Sequence, residues 1–572
     1  MKKILLSSTI VFISIAVTYS QTSFVGAGKA VNPFHYEIVK TKTFSKASVA
    51  SAHPLASMVG AEIMKQGGNA FDAAIAVQLT LAVVYPSAGN IGGGGFLVAR
   101  KTNGQTIAID YREEAPGKAS RDMYLDKNGN AITNLSLNGH LASGVPGTVA
   151  GLFETYKYAK LPFKQLIQPA IDIAEFGFVI TESQAHGFNV TKESFIKNST
   201  QTPAFVQHNK WKAGDTLIQK DLAETLKRIR DNGQKGFYEG KTAQLIVDEM
   251  QRGNGIISLN DLKNYKAKTR TALQFNYKDY KIIGMPPPSS GGVIIWQMMK
   301  MIEDKPIASY GCNSTKAVQL MVETERRAYA DRAEHLGDPD FYKVPLKEIT
   351  SSTYIKKRMI DYDSTQATPS KNITAGNVKE HDETTHLSVM DKEGNMVSVT
   401  TTLNGGYGCR TVVGGAGFLL NNEMDDFSVK PGVPNMYGAI GREANAIQPG
   451  KRMLSSMTPT LVLKNNKPYI VCGTPGGTTI PTSVYQTLVN MLEFNMSPAD
   501  AINSPKFHHQ WLPDVVRVEK DFNPTVRKEL SAMGYNIVET NSWCRLEVIK
   551  LHTNKQQEIA ADKRGDDSVA GF

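Results

Sequence analysis

From Thr384 onward, side chains able to take part in acyl transfer recur at every second position: His386 and Ser388, then, past a turn, Ser398, Thr400, Thr402 and Asn404. A threonine hydroxyl is a competent nucleophile. If the residue starts a chain, its own α-amine, with an ordinary pKa of about 7.7–8.0, can act as the general base beside it. The segment before it, residues 374–383, is polar and unpatterned, as an exposed and cleavable linker would be. Arg112 closes an alternating run, where its planar fork suits a carboxylate. Glu423 and Asp426 offer carboxylates next to the hydroxyl run, as acceptors for an ammonium. Ser455 and Ser456 add two donors, and Gly476-Gly477 follows a strand with two successive amides suited to an oxyanion. Each feature also has a plainer reading. Threonine is common in strands, a lone arginine at a strand end is usually solvated, and Glu423, Asp425 and Asp426 can form a solvated corner.

The elements that must position these residues can be read from periodicity. Thr384–Asn404 is a β-hairpin around the five-residue loop Asp391–Asn395. One face carries Leu387, Val389, Val397, Val399 and Leu403, and the other carries the hydroxyl row. Pairing Met390 with Met396 sets Thr384 opposite Thr402, and a one-residue slip would expose the apolar set. Pro54–Gln66 reads as a helix, and Asn69 caps a second, Phe71–Val84, apolar on nearly every side but too short to span a bilayer. Gly92–Gly95 lacks the spacing of a phosphate or dinucleotide loop and fits close backbone packing. Thr106–Arg112 alternates as a strand, Gly144–Gly151 turns into a helix, and residues 165–270 are mostly amphipathic helices. Pro286–Gly292 is a rigid turn into the helix Val293–Met301. Gly414–Asn422 reads as a glycine-bounded strand, as does Tyr469–Gly473. Lys430–Asn445, rich in Gly and Pro with Tyr437 at its middle, has the length and lack of period of a lid.

The 572 residues, 41% of them hydrophobic, predict one large domain or two interlocked ones. Lys2-Lys3, the apolar run Ile4–Val17 and Ser20 form a secretory leader over residues 1–20, cut before Gln21, which implies a periplasmic or extracellular location. No other run reaches the length of a membrane span. The net charge of +10 is spread along the chain, which favours a solvated surface over nucleic-acid binding. Cys312, Cys409, Cys472 and Cys544 lie far apart without zinc spacing, and His508-His509 lacks a nearby second ligand pair, which points to hydrogen bonding over metal.

Together Thr384-Thr-His-x-Ser-Val, Thr402-Leu-Asn404, Asn421-Asn-Glu-Met-Asp-Asp-Phe427, Lys430-Pro-Gly-Val-Pro-Asn-x-Tyr437, Lys451-Arg-x-Leu-Ser-Ser-Met457 and Pro475-Gly-Gly477 resemble the γ-glutamyltransferases. The resemblance runs from about residue 45 to the carboxyl end. It implies an α+β fold of the N-terminal-nucleophile hydrolases, an αββα sandwich of two stacked antiparallel sheets. It also implies a precursor cut between Glu383 and Thr384 into a large subunit, 21–383, and a small subunit, 384–572. By resemblance Thr384 is the nucleophile, Thr402 orients it, and the Gly476 and Gly477 amides hold the oxyanion. Arg112, Ser455 and Ser456 then bind the donor α-carboxylate, Asn404, Glu423 and Asp426 its α-amine, and Tyr437 lies on the lid. The expected substrates are glutathione and other γ-glutamyl amides, with water, amino acids or dipeptides as acceptors and no cofactor or metal. Some family members carry Gln where this chain has Glu423, Pro at Met453 and Ser at Thr474. The rival expectation is an acylase of the same fold acting on glutaryl-cephalosporin-type amides, whose donor has no α-amine for Glu423 and Asp426 to meet.

Overall fold

The structure is a computed structural model that describes residues 31–373, 384–430 and 442–572. The leader, Glu383, Tyr437 and most of the expected lid lie outside the described residues. Two seven-stranded sheets stack face to face, and every pairing within them is antiparallel. The first runs Ser568–Gly571, Ser48–Ser51, Thr385–Met390, Met396–Thr402, Gly94–Arg100, Thr106–Asp110 and Lys268–Arg270. The second runs Thr41–Phe44, Gln557–Ala561, Glu547–Leu551, Lys467–Gly473, Thr460–Lys464, Tyr280–Gly284 and Leu273–Tyr277. Helices cover the outer face of each sheet, giving the αββα layering expected from the motifs.

The hairpin lies in the middle of the first sheet with the expected register, Met390 against Met396 and Thr385 against Thr401. Its apolar side chains Leu387, Val389, Val397 and Val399 pack into a core under the helices Pro54–Lys65 and Ala70–Val84. The second of these helices is buried along its whole length, which explains its lack of a polar face. Asn69 caps it with Asp72 in a reciprocal capping box. Asp391, in the hairpin loop, also accepts the Ala70 amide at 3.0 Å, tying the hairpin to this helix.

The hydroxyl row lies on the hairpin face turned toward the second sheet. It is buried between the sheets, where Ser388 Oγ donates to the Glu547 carbonyl (3.0 Å) and Ser398 Oγ to the Cys472 carbonyl (3.1 Å). Hydroxyls serve there because each can satisfy a backbone group of the facing sheet as the sheets close. His386 hydrogen-bonds Thr400 and Ser388, and burial pushes its imidazole down to about 3, so it is neutral.

One strand assignment fails. Gly414–Asn422 is a turn with a single bridge, Val412 to Leu419. Gly415 and Gly417 both take positive φ (72° and 75°), and this reverses the chain where a strand would need extended backbone. No helix among the described residues is long and apolar enough to cross a membrane, and all four cysteines are free thiols.

Candidate active site

Thr384 stands one residue ahead of its strand, 3% exposed, at the end of the inter-sheet layer. It opens on a cleft of about 310 Å³ that also carries Thr402, Asn404, Arg112, Glu423 and Asp426. Ser455, Ser456 and Gly477 complete the set brought together from the sequence reading, while Gly476 stands just behind the lining. Residues more than three hundred positions apart thus share one surface.

The Thr402 end is held by a backbone clamp. Asn90 donates to the Thr402 carbonyl (2.8 Å) and accepts the Gly93 amide (3.0 Å) and the Thr148 hydroxyl (2.6 Å). A Cβ on Gly93 would come within 2.0 Å of the Thr402 carbonyl oxygen, so glycine is required for the approach. Thr402 Oγ1 accepts the Asn404 amide at 2.7 Å, and this fixes Asn404 in a left-handed conformation (φ 73°) at the cleft.

The Gly476-Gly477 turn follows the strand Lys467–Gly473 and enters the helix Thr479–Leu492. Both glycines have positive φ (133° and 51°), and a Cβ on Gly476 would meet Thr479 Oγ1 at 2.6 Å. The turn's own hydrogen bonds use the two glycine carbonyls, which accept the Thr479 and Ile480 amides. Ser455 and Ser456 are strapped to the rigid Pro286–Gly292 turn. Ser290 donates its amide to the Ser455 carbonyl (2.7 Å), and Ser289 Oγ reaches the Met457 carbonyl (2.6 Å).

The charged groups assigned to the two ends of a donor meet one another. Arg112 donates through Nη1 to Glu423 and through Nη2 to Asp426. A buried guanidinium needs a counter-charge, and these are the carboxylates within reach. Burial works against the Arg112 charge, but Glu423, Asp426 and Glu113 outweigh it and hold the group protonated.

Glu113 is fully buried behind this pair, 3.7 Å from Arg112 Nη1, and neither of its oxygens has a hydrogen-bond donor among the described residues. Burial pushes its carboxyl up to about 7 in spite of Arg112. Glu423, though ion-paired, is also raised well above the carboxylate range, first by burial and then by Glu113 and Asp426. Both glutamates are thus pushed toward the protonated form by burial among three acids crowded on one arginine.

The family model for gamma-glutamyltranspeptidase matches residues 56–572. The chain belongs to that family. It is 46% identical over 530 residues to the glutathione hydrolase proenzyme of Escherichia coli (strain K12), covering 92% of this chain and 91% of that one. The crystal structure of Helicobacter pylori gamma-glutamyltranspeptidase is 43% identical, with a TM-score of 0.55 over 57% of this chain and 94% of that one. Cephalosporin acylase from Bacillus halodurans, 23% identical, superposes with a TM-score of 0.83 over 97% of this chain and 99% of that one, which speaks to the fold. The architecture is accordingly the N-terminal-nucleophile hydrolase sandwich.

Motif reading in this family missed Arg332, Met457, Thr478 and Ile480 in the cleft wall, and Glu113 and Asn90 behind it. Arg332 sits on the helix Thr315–His335, most of which is buried. Glu113 reads as half of an acidic pair ending a strand. His508 and His509 do act as hydrogen-bonding residues, with Thr482 (2.8 Å) and Gln510 (2.8 Å) on the first and Asp514 (3.2 Å) on the second.

Proposed function

We propose that this protein is a self-processing γ-glutamyltransferase and glutathione hydrolase that works through an acyl-enzyme on Thr384. The observation that carries this reading is the meeting of Thr384, Thr402 and the Arg112–Glu423–Asp426 ion cluster in one cleft. In the precursor, Thr384 Oγ attacks the Glu383 carbonyl, and hydrolysis of the resulting ester frees the Thr384 α-amine. That amine then takes the hydroxyl proton as Oγ attacks the γ-carbonyl of a donor. The oxyanion is stabilised by the Gly476 and Gly477 amides, and Thr402 orients the hydroxyl. The C–N bond breaks and the proton passes to the leaving amine. Water or an acceptor amine next attacks the ester, the C–Oγ bond breaks, and the proton returns to Thr384.

The donor α-carbon carries both an ammonium and a carboxylate, and Arg112 with Glu423 and Asp426 is a matching zwitterion. Binding exchanges ion pairs within the cluster for pairs to the donor, with Ser455, Ser456 and Asn404 as neutral hydrogen-bond partners. The leader over residues 1–20 sends the chain outside the cytoplasm. The mature form is then Gln21–Glu383 with Thr384–Phe572, acting on small peptides without a cofactor.

Thr384→Ala should leave one uncleaved chain without activity, since nucleophile and base are lost together. A gel showing normal processing would overturn the assignment. Product analysis with glutathione, with and without a dipeptide, should yield glutamate in one case and a γ-glutamyl tripeptide in the other. Faster turnover of a glutaryl anilide than of the γ-glutamyl anilide would instead select the acylase reading.

A further inference from the structure

Arg332 separates the cleft from a second cavity of about 240 Å³, whose other walls include Thr478, Tyr329, Gln510, Trp511 and Leu512. Five arginines are buried in the described chain: Arg112, Arg326, Arg327, Arg332 and Arg452. Four of them meet a carboxylate: Glu423, Asp514, Glu323 and Asp110 respectively. Arg332, only 6% exposed, does not have one among the described residues. Its Nε donates to Ser290 Oγ (3.1 Å) and its Nη2 to Ser456 Oγ (3.0 Å), both neutral. Burial works against its charge and outweighs Tyr329 and Asp426, which favour it from further off, so an arriving anion would be stabilising.

The geometry of the guanidinium indicates where that anion sits. Nε and Nη2 form one edge of the plane, and the two serines occupy it. Nη1 is the corner on the other side and has no partner among the described residues. Ser456 borders the first cavity alone, whereas Arg332 borders both, so Arg332 is the charged group that the second cavity shares with the cleft. That cavity adjoins the turn of Gly477 and Thr478. Tyr329 donates to the Thr478 carbonyl and Thr478 donates to Gln510 (2.7 Å), which fixes the wall between the two chambers.

We propose that Arg332 anchors a second subsite, which binds the terminal carboxylate of the amine partner in the transfer reaction. This rests on the γ-glutamyltransferase reading above. The chemical class is an amino acid or short peptide with a free carboxylate. The leaving amine and the attacking amine use the same side of the acyl carbonyl, by microscopic reversibility, so one subsite serves both. The carboxylate of an extended dipeptide lies about 7 Å from its amine, so recognition must come from a group outside the donor pocket. Arg332 has that place, and Leu512 and Trp511 supply apolar wall for the intervening carbons.

The test uses a chromogenic γ-glutamyl anilide as donor, because its leaving amine carries no carboxylate, and compares glycylglycine with glycylglycinamide as acceptors. The parent enzyme should prefer the carboxylate acceptor by about tenfold or more in acceptor kcat/KM, as expected for one charge-assisted hydrogen bond. Arg332→Gln should bring the ratio close to one. Leu512→Glu, which places a negative charge in the second cavity only, should favour the amide. The ratio is internal to each variant, so a general loss through Ser456 does not affect it. A parent with no preference, or variants that keep the parent ratio, would overturn the subsite. A parent that releases no anilide at all would instead overturn the functional reading on which it rests.

Discussion

Two arginine sites lie at the end of the same strand, Thr106–Asp110, and they differ in how their charges match. Arg452 pairs with Asp110 (2.6 Å) and Glu114 (3.0 Å), donates to the Lys266 carbonyl (2.7 Å) and lies over the Tyr265 ring. Arg270 shares Asp110 (2.8 Å) and binds Asp340 (2.9 Å). Arg112 is the guanidinium in contact with Glu423, Asp426 and Glu113, while Arg332 acts on Asp426 only from further off. Glu113 and Glu114 are chain neighbours, yet only Glu114 has a cation hydrogen-bonded to it. A matched buried network is an element of the fold. An acid surplus around one arginine leaves a place for a proton or an incoming ammonium.

The sharpest test of that contrast is Arg452→Met. It strands Asp110 and Glu114 in a dry interior and should cost about 3–5 kcal/mol of stability, read from denaturant melts of the uncleaved Thr384→Ala background. Arg112→Gln should cost less in stability, because Glu113 and Glu423 are already raised and can take up protons once the cation is gone. Its main loss should be in donor recognition, on the order of 2–5 kcal/mol in kcat/KM. A donor lacking the α-carboxylate should lose much less. Equal melting losses for the two arginine variants would break the comparison.

Next in size is Asp426→Asn, which should lower γ-glutamyl turnover by about 1.5–3 kcal/mol while hardly affecting glutaryl amides. Equal loss on both donors would make Asp426 a residue of the fold. The smallest effect concerns Glu113. An acid raised to about 7 in the folded state loses stability as pH climbs from its unfolded pKa through 7, and the full cost remains above that. Glu113→Gln should therefore melt higher than the parent above pH 7, with the advantage shrinking toward pH 5. The same proton competes with the donor ammonium, so the parent's donor KM should fall as pH rises through about 7. In Glu113→Gln that dependence should flatten, and an unchanged profile would remove Glu113 from the site.

Local signals carried much of this into the sequence. The period-two alternation of Leu387, Val389, Val397 and Val399 is enough to set the hairpin register, because a slipped pairing would expose all four. Asn69 and Asp72 announce their helix by a capping pattern that needs no tertiary context. The unfavourable positive φ of Gly415 and Gly417 defeats a strand assignment that rests on apolar content alone. Arg332 and Glu113 escape notice for a deeper reason. Nothing in an arginine's neighbours along the chain tells whether a carboxylate from three hundred residues away will reach it. The hydroxyl row was legible as a pattern, but its role between the sheets depends on the Cys472 and Glu547 carbonyls of the other sheet.

The interleaving of strands has a kinetic consequence. In the first sheet, Ser48–Ser51 lies between Ser568–Gly571 and Thr385–Met390, so segments from both sides of the Glu383–Thr384 bond alternate across it. The second sheet likewise places Thr41–Phe44 at one edge and Tyr280–Gly284 beyond Thr460–Lys464. With the bond intact, an unfolded chain keeps its halves tethered and can refold as a first-order event. With the bond cut as proposed, unfolding would release two fragments, neither of which holds a complete sheet, and recovery would become a second-order encounter that slows with dilution. The proposed maturation would thus turn a reversible melt into a one-way loss and leave the working lifetime to the unfolding rate.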